Sequence, residues 1–318
     1  MNQNHWANQP ERGNRLALWL TTQIVRYLPP WLLPIAVSII SRYYYHTSPR
    51  ARRNITRYQQ RLQRTTPGLQ LPKHAVYRQI RSFAEAIADR FAVWQHRLTY
   101  RDLTVHDPDN LYQRIDHPEA GARGEILLCS HHGNMEICRA LVAHHRHFAL
   151  NILVHHKHAE AYNRALKKAG ADDIRMIQVS ELDAAVMLEL QNRINRGEWL
   201  AIAADRLPVR GEKTVRISFL GDEARIAQGP WLLAGLLQAR INTLFCRKQN
   251  GRYHLYLANF AAGIHWQKHS RAAIIQAAAS RYAALLEREC RQAPLQWYNF
   301  YDFWETDNDP AEMCADFL

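Results

Sequence analysis

The chain has 318 residues, enough for one large α/β domain or two modest ones, with a core that needs no staple. Its five cysteines (Cys129, Cys138, Cys246, Cys290 and Cys314) are odd in number and contain no C-x-x-C pair, which argues against a disulfide framework or a zinc knuckle and for a reducing, cytosolic environment. A formal charge of +12 favours a polyanionic partner; with no RRM signature and no paired Cys/His finger, the expected partners are an anionic membrane surface or an acidic protein and no nucleic acid.

The first residues, "MNQNHWANQPERGN", lack a basic segment leading into an apolar run, so no signal peptide is expected. From Leu16 to Tyr45 the chain is rich in Trp, Tyr, Leu and Ile but is broken by Arg26, Pro29, Pro30 and Pro34. Its longest uncharged piece, Tyr27 to Ser41, falls short of the ~20 apolar residues a spanning helix requires. The expectation is a helical, membrane-associating segment lying in the interface, with two core helices of a soluble domain as the alternative. Residues 48–64, "SPRARRNITRYQQRLQR", contain Arg50, Arg52, Arg53, Arg57, Arg61 and Arg64 and no acid. Ser48 reads as an N-cap and Pro49 as the first helical residue, giving a helix with a basic face that is either solvated or partner-facing. A second long helix is predicted over Lys73 to Arg97, where Val76, Ile80, Phe83, Ile87, Phe91 and Trp94 recur at three- and four-residue steps as a core stripe. Asp89 and Arg90 interrupt this stripe and are candidates for anchoring the helix under the following domain.

After a turn-rich stretch, His106 to Arg123, the pattern becomes alternating. The apolar runs at 125–130, 148–154, 174–179 and 198–204 are separated by segments of helical spacing, the signature of βαβ units and a largely parallel sheet. Further strands are expected at "TVRISFL", "INTLFCR" and "RYHLYLANF", the last two joined through "KQNG", and a final helix over Lys268 to Arg291. The fold class is therefore α/β: a mixed, largely parallel sheet flanked by helices, preceded by a helical membrane-associating region. The expected division is 1–115 and 116–318 within one continuous unit.

The strand 125–130 runs into "SHHGNMEICRAL", where Asn134 is suited to cap a helix reaching about His145 and Gly133 to bring the backbone close to a ligand. An ionised Glu136 near an imidazole would make it a general base. Two pairings stay open on spacing alone. His132 and Glu136 are four apart, as neighbours on one helix are, whereas His131 and Glu136 meet only if the histidine lies on the turn before it. The histidines at 131, 132, 144, 145, 147, 155, 156 and 158 invite a metal-hydrolase reading, but no H-E-x-x-H spacing is present, so no metal is expected. No G-x-S-x-G elbow exists for a serine hydrolase. A non-catalytic membrane-peripheral protein, with His131 structural, is the remaining rival.

"SHHGNMEICRAL" resembles the H-x-x-x-x-E motif of the lipid A biosynthesis acyltransferase family, in the form H-x-G-N-x-E. The likeness continues at Asp205 and Arg206, at Phe219 and Gly221, at Gly229, Pro230 and Trp231, and at Pro294, Gln296, Trp297, Phe300, Tyr301, Phe303 and Trp304. The resemblance selects His131 as general base and Glu136 as its partner. It implies transfer of an acyl chain from an acyl carrier protein or CoA thioester to a hydroxyl of a lipid or glycolipid acceptor, at the cytoplasmic face of a bacterial inner membrane and with no cofactor. Gly133, Asn134, Arg175, Asp205, Arg206 and Gly229 are the expected substrate-binding residues, Arg175 or backbone N–H groups the oxyanion donors. Lys157, Arg164, Lys167, Lys168 and Arg175 are candidates for phosphate contacts, with a solvated helix face as the alternative. The chain departs from the family in its "AADRLPV" stretch, which replaces an acidic "PDHD"-type segment, and the glycerophosphate branch's F-P-E-G-T-like block is absent. Both termini look more like relatives that accompany aryl-polyene or polyketide-like lipid assembly.

Overall fold

The computed structural model describes residues 31–94, 97–137, 148–154, 174–178, 183–206 and 213–304. Three helices open this part of the chain: α1 (Leu33–Thr47), α2 (Pro49–Arg64) and α3 (Ala75–Trp94). Ser48 stands at the N-cap position of α2 as expected, but its buried hydroxyl makes no capping bond among the described residues. The proline that follows supplies the helical φ instead. The inner face of α2 buries Ala51, Ile55, Tyr58, Gln59 and Leu62 at helical spacing and turns most of the arginines outward. Arg61 and Arg64 both hold Asp222, each at 2.6 Å. The expected anchor of α3 is present through Asp89, whose Oδ2 accepts from Lys248 Nζ and from Tyr253 Oη, both at 2.6 Å.

Strands β1 (Leu103–His106), β2 (Ile126–Cys129), β3 (Leu150–Val154), β4 (Ile174–Gln178), β5 (Trp199–Ala203), β8 (Ile241–Gln249) and β9 (Arg252–Ala261) form a sheet, and β6 (Thr214–Phe219) pairs with β7 (Asp222–Ala227) as a separate hairpin. Helix α4 (Leu111–Asp116) lies between β1 and β2, α5 (Ala184–Asn195) precedes β5, α6 (Gly229–Leu237) precedes β8, and α7 (Arg271–Gln292) follows β9. Among the described residues the main sheet has seven strands in the order β1-β9-β8-β2-β5-β3-β4, all neighbours parallel except β8 and β9. This is the mixed, largely parallel sheet expected, with β1 entering it upstream of residue 116. Burial on both faces explains the unbroken apolar runs: Ile126 and Leu128 pack on one side with α5, α6 and α7, and Leu127 and Cys129 on the other with Leu111 and Ile115 of α4. The "KQNG" hairpin is present, with Asn250 (φ 50°) and Gly251 (φ 79°) as its two-residue loop.

The segment after α7 does not run over the surface. Residues 294–304 thread between the amino-terminal helices and the α/β layers, where Trp297, Phe303 and Trp304 pack around Phe219 at ring separations of 5.1–5.8 Å. Tyr298 and Phe300 pack with Ile55, Ile80 and Phe83 of α2 and α3. Gln79 Nε2 donates to Trp297 O at 2.7 Å, and Gln296 bonds both the N–H and the carbonyl of Lys248 on β8.

Candidate active site

Adjacent parallel strands β2 and β5 end in register, Cys129 opposite Ala203, so the residues two places beyond each strand meet above the carboxyl edge of the sheet. Those residues are His131 and Asp205. The His131 ring Nδ1 lies 2.8 Å from Asp205 Oδ1, and the His131 backbone N–H donates to Asp205 Oδ2 at 2.8 Å. Asp205 is fully buried. Its Oδ2 also accepts from Trp297 Nε1 at 3.0 Å and Asn299 Nδ2 at 3.4 Å, while its carbonyl accepts from Asn299 and from Tyr301 Oη. Two carboxyl-terminal side chains, Trp297 and Asn299, thus add donors to the carboxylate beside those of His131, so its oxygens are hydrogen-bonded in the interior. Burial pushes its pKa up, but the charge and hydrogen bond of His131, the charge of Arg206 and the His131 backbone N–H outweigh this and hold it below the usual carboxylate value.

The tautomer of His131 follows from its partners. Arg206 Nε points at His131 Nε2 at 3.1 Å, and a guanidinium can only donate. Nε2 is therefore the bare nitrogen, and Nδ1 carries the proton that Asp205 accepts. Enclosure of the ring lowers its pKa, as does the charge of Arg206 and, more weakly, that of Arg90; Asp205 opposes them. The side chain keeps 32 % of its accessible area, so a ligand hydroxyl can reach it. A neutral imidazole with its proton fixed by a buried carboxylate is equipped to take a proton from an alcohol.

His132 is a core residue. It is fully buried, its Nε2 lies 3.2 Å from Ala293 O, and burial lowers its pKa to about 4, with Arg247 adding to the effect while Asp205 and the carbonyls of Ala293 and Glu289 oppose it. Because a folded-state pKa below the unfolded ~6.5 means that the unfolded chain binds the extra proton, this residue costs stability only as pH falls below that value. Going from pH 7 to pH 5, His132 is expected to remove about 2 kcal/mol from the native chain. His132→Phe should lose that share of the pH dependence, read as the difference in urea-unfolding free energy at the two pH values. Identical pH dependence in the two proteins would show that His132 does not titrate this way.

The loop carrying both histidines is clamped from two sides. Gly133 N–H donates to Gln296 O at 2.7 Å, Tyr298 N–H to His131 O at 2.8 Å, and Asn134 N–H to Cys246 O at 3.2 Å. Gly133 has φ +73°, and a Cβ there would stand 1.5 Å from Cys246 O. The close approach expected at this glycine is thus to the chain's own strand β8. Asn134 is buried and its amide donates to Ala86 O on α3 and to Tyr253 Oη. The helix predicted from Asn134 begins as a 3-10 turn, Met135–Ile137; residues 138–147 lie outside the described ones. Glu136 is on that turn, and its side chain also lies outside the described residues.

Of the other expected site residues, Gly229 opens α6 close by: Ala227 N–H donates to Arg206 O at 3.1 Å, and a Cβ at Gly229 would meet nothing within 4 Å. Arg175 is described by its backbone alone, its side chain lying outside the described residues. It is second on edge strand β4, in line with Asn151 and Leu200, three residues before the end of β5 and two strands away, which places its Cα about 10 Å along and about 10 Å across from that strand end. Lys157, Arg164, Lys167 and Lys168, with the histidines at 144–158, lie outside the described residues. Among the described residues no three His, Cys, Asp or Glu side chains group as metal ligands, and no helix is long and apolar enough to cross a membrane.

What sequence reasoning missed is the role of Asp205 as the carboxylate on His131, 74 positions away. A family model described as bacterial lipid A biosynthesis acyltransferase matches residues 19–306. No curated protein matches the chain.

Proposed function

The chain belongs to the bacterial lipid A biosynthesis acyltransferase family, and from that we propose that it moves a fatty acyl chain from an acyl carrier protein or CoA thioester to a hydroxyl of a lipid or glycolipid acceptor. The observation that carries this reading is the His131 ring held between Asp205 on Nδ1 and Arg206 on Nε2. His131 Nε2 takes the hydroxyl proton and the alcohol oxygen attacks the thioester carbonyl. A C–O bond forms, the C–S bond breaks, and the proton passes from His131 to the leaving thiolate. Asp205 fixes the tautomer and stabilises the imidazolium that forms. Glu136, five places after His131, is a second carboxylate proposed for the site on the strength of the motif alone.

The surface supports action at a bilayer. Trp31, Ile35, Ile39 and Tyr43 recur at four-residue steps beside Ile40, all exposed, and account for most of the exposed large hydrophobics among the described residues. Such a stripe on and just before α1 suits peripheral or monotopic seating in the cytoplasmic leaflet of the inner membrane, and the +12 charge suits anionic lipid or an acidic carrier protein. The test is incorporation of label from a [14C]dodecanoyl acyl-carrier-protein thioester into a bacterial membrane lipid extract, with CoA thioester as the alternative donor. Labelled lipid that appears with the native chain and not with His131→Ala supports the reading; no labelled product from either donor defeats it.

A further inference from the structure

We propose that Arg206 is a catalytic residue with two stations: it caps the base nitrogen of His131 in the resting site and, once the acceptor hydroxyl takes that place, binds the oxyanion of the thioester carbonyl. The inference rests on the acyl-transfer reading above. Its first ground is exclusion. Nε2 of a neutral imidazole offers one lone pair, and that pair now receives the Arg206 Nε–H at 3.1 Å. The acceptor hydroxyl must donate to the same lone pair, so productive binding displaces the guanidinium by about the width of an oxygen atom, some 3 Å.

A displacement that small keeps the cation beside the reaction. The hydroxyl oxygen sits about 2.8 Å from Nε2 and the carbonyl carbon about 3 Å from that oxygen, so the carbonyl oxygen falls within hydrogen-bonding reach of a guanidinium just moved aside. The structure supplies what such a movement needs. The Arg206 carbonyl is pinned by Ala227 N–H at 3.1 Å, which fixes the backbone, and its guanidinium carbon rests 5.5 Å from the centre of the Tyr301 ring. Tyr301 is in turn held by Asp205 O at 3.3 Å. One Arg206 N–H is used on His131, which leaves the terminal fork to meet an oxyanion with two charge-assisted bonds. The start of α6 follows directly after Ala227, so its N-terminal dipole adds to the same positive potential. Arg175, the cation expected for this role, has its Cα on edge strand β4, two strands from β5, and its side chain lies outside the described residues.

The test uses the full chain with dodecanoyl acyl-carrier-protein thioester as donor and membrane lipid extract as acceptor, comparing native protein, Arg206→Gln and Arg206→Lys. In Arg206→Gln, kcat should fall by about 10²- to 10³-fold while KM for the thioester changes less than about threefold; Arg206→Lys, which keeps a cation without the fork, should fall between the two. A second readout is independent of turnover: titration of the His131 ring by NMR on histidine-labelled protein. The charged groups facing that ring are Asp205 and Arg206 at the end of β5 and Arg90 on α3, so loss of Arg206 should move its pKa upward. Equal or faster transfer in Arg206→Gln would mean that the arginine merely blocks the base and would overturn the proposal. So would an effect confined to KM, which would make Arg206 an anchor for the donor, or an unmoved His131 titration. No transfer by the native chain would sink the acyltransferase reading itself, a result distinct from any of these.

Discussion

Asp205→Asn is expected to lower kcat for acyl transfer by about 10³- to 10⁴-fold while leaving the fold intact, an effect comparable with that of His131→Ala. The reason lies in what the amide can and cannot replace. Oδ2 of Asp205 accepts from the His131 backbone, Trp297 and Asn299, and an asparagine oxygen turned the same way keeps those bonds. The amide nitrogen then faces Nδ1 of His131, where the carboxylate now accepts. A donor at that place pushes the ring proton to Nε2, which removes the lone pair the acceptor hydroxyl needs and sets two N–H groups, those of Nε2 and Arg206, against each other. Glu136→Gln provides the comparison. With Nδ1 already engaged by Asp205, its loss should be clearly smaller. The measurements are kcat on the dodecanoyl thioester and a urea-unfolding curve for each variant. A folded Asp205→Asn protein keeping more than about a tenth of native kcat would show that the carboxylate does not set the tautomer.

That partnership could not be read along the chain, and the reason is topological. His131 and Asp205 meet because β2 and β5 are neighbours with Cys129 opposite Ala203, although β3 and β4 come between them in sequence. Runs such as "EILLCS" and "EWLAIAA" announce buried strands through composition, but composition carries no strand order. The histidine ambiguity has a similar origin: adjacent residues at a strand end point opposite ways, one ring to Asp205 and the other under Ala293, and spacing to Glu136 is blind to that choice. Strand β7 escaped because it has only two inward residues, Ala224 and Ile226, set among Asp222, Glu223 and Arg225, and because its turn is Leu220-Gly221, a pair without the Asn-Gly signal that marks β8 and β9. The family motif at Phe219, Gly221 and Trp297 to Trp304 was legible as a pattern. Its physical content, an aromatic cluster that supports the donors around Asp205, needed the packing.

Gly133→Ala should be the most damaging single methyl in the described part of the site, costing about 4 kcal/mol or more, whereas Gly251→Ala should cost only about 1 kcal/mol. Both glycines have positive φ, +73° and +79°, so both variants carry the left-handed strain of an L side chain. They differ in what the new carbon meets: nothing within 4 Å at Gly251, and the Cys246 carbonyl oxygen at 1.5 Å at Gly133. That oxygen also accepts the Asn134 N–H, so relief of the clash must pull the loop off β8 and open the bonds it makes to Gln296 and Tyr298. With typical stabilities of about 5–15 kcal/mol, the variant stands near the limit of folding, and His131 is displaced in whatever does fold. Urea midpoints of the two variants against the native chain give the answer, with soluble yield as the readout if Gly133→Ala does not accumulate. A Gly133→Ala protein as stable as Gly251→Ala, with its loss confined to KM, would instead mean that this glycine makes room for substrate.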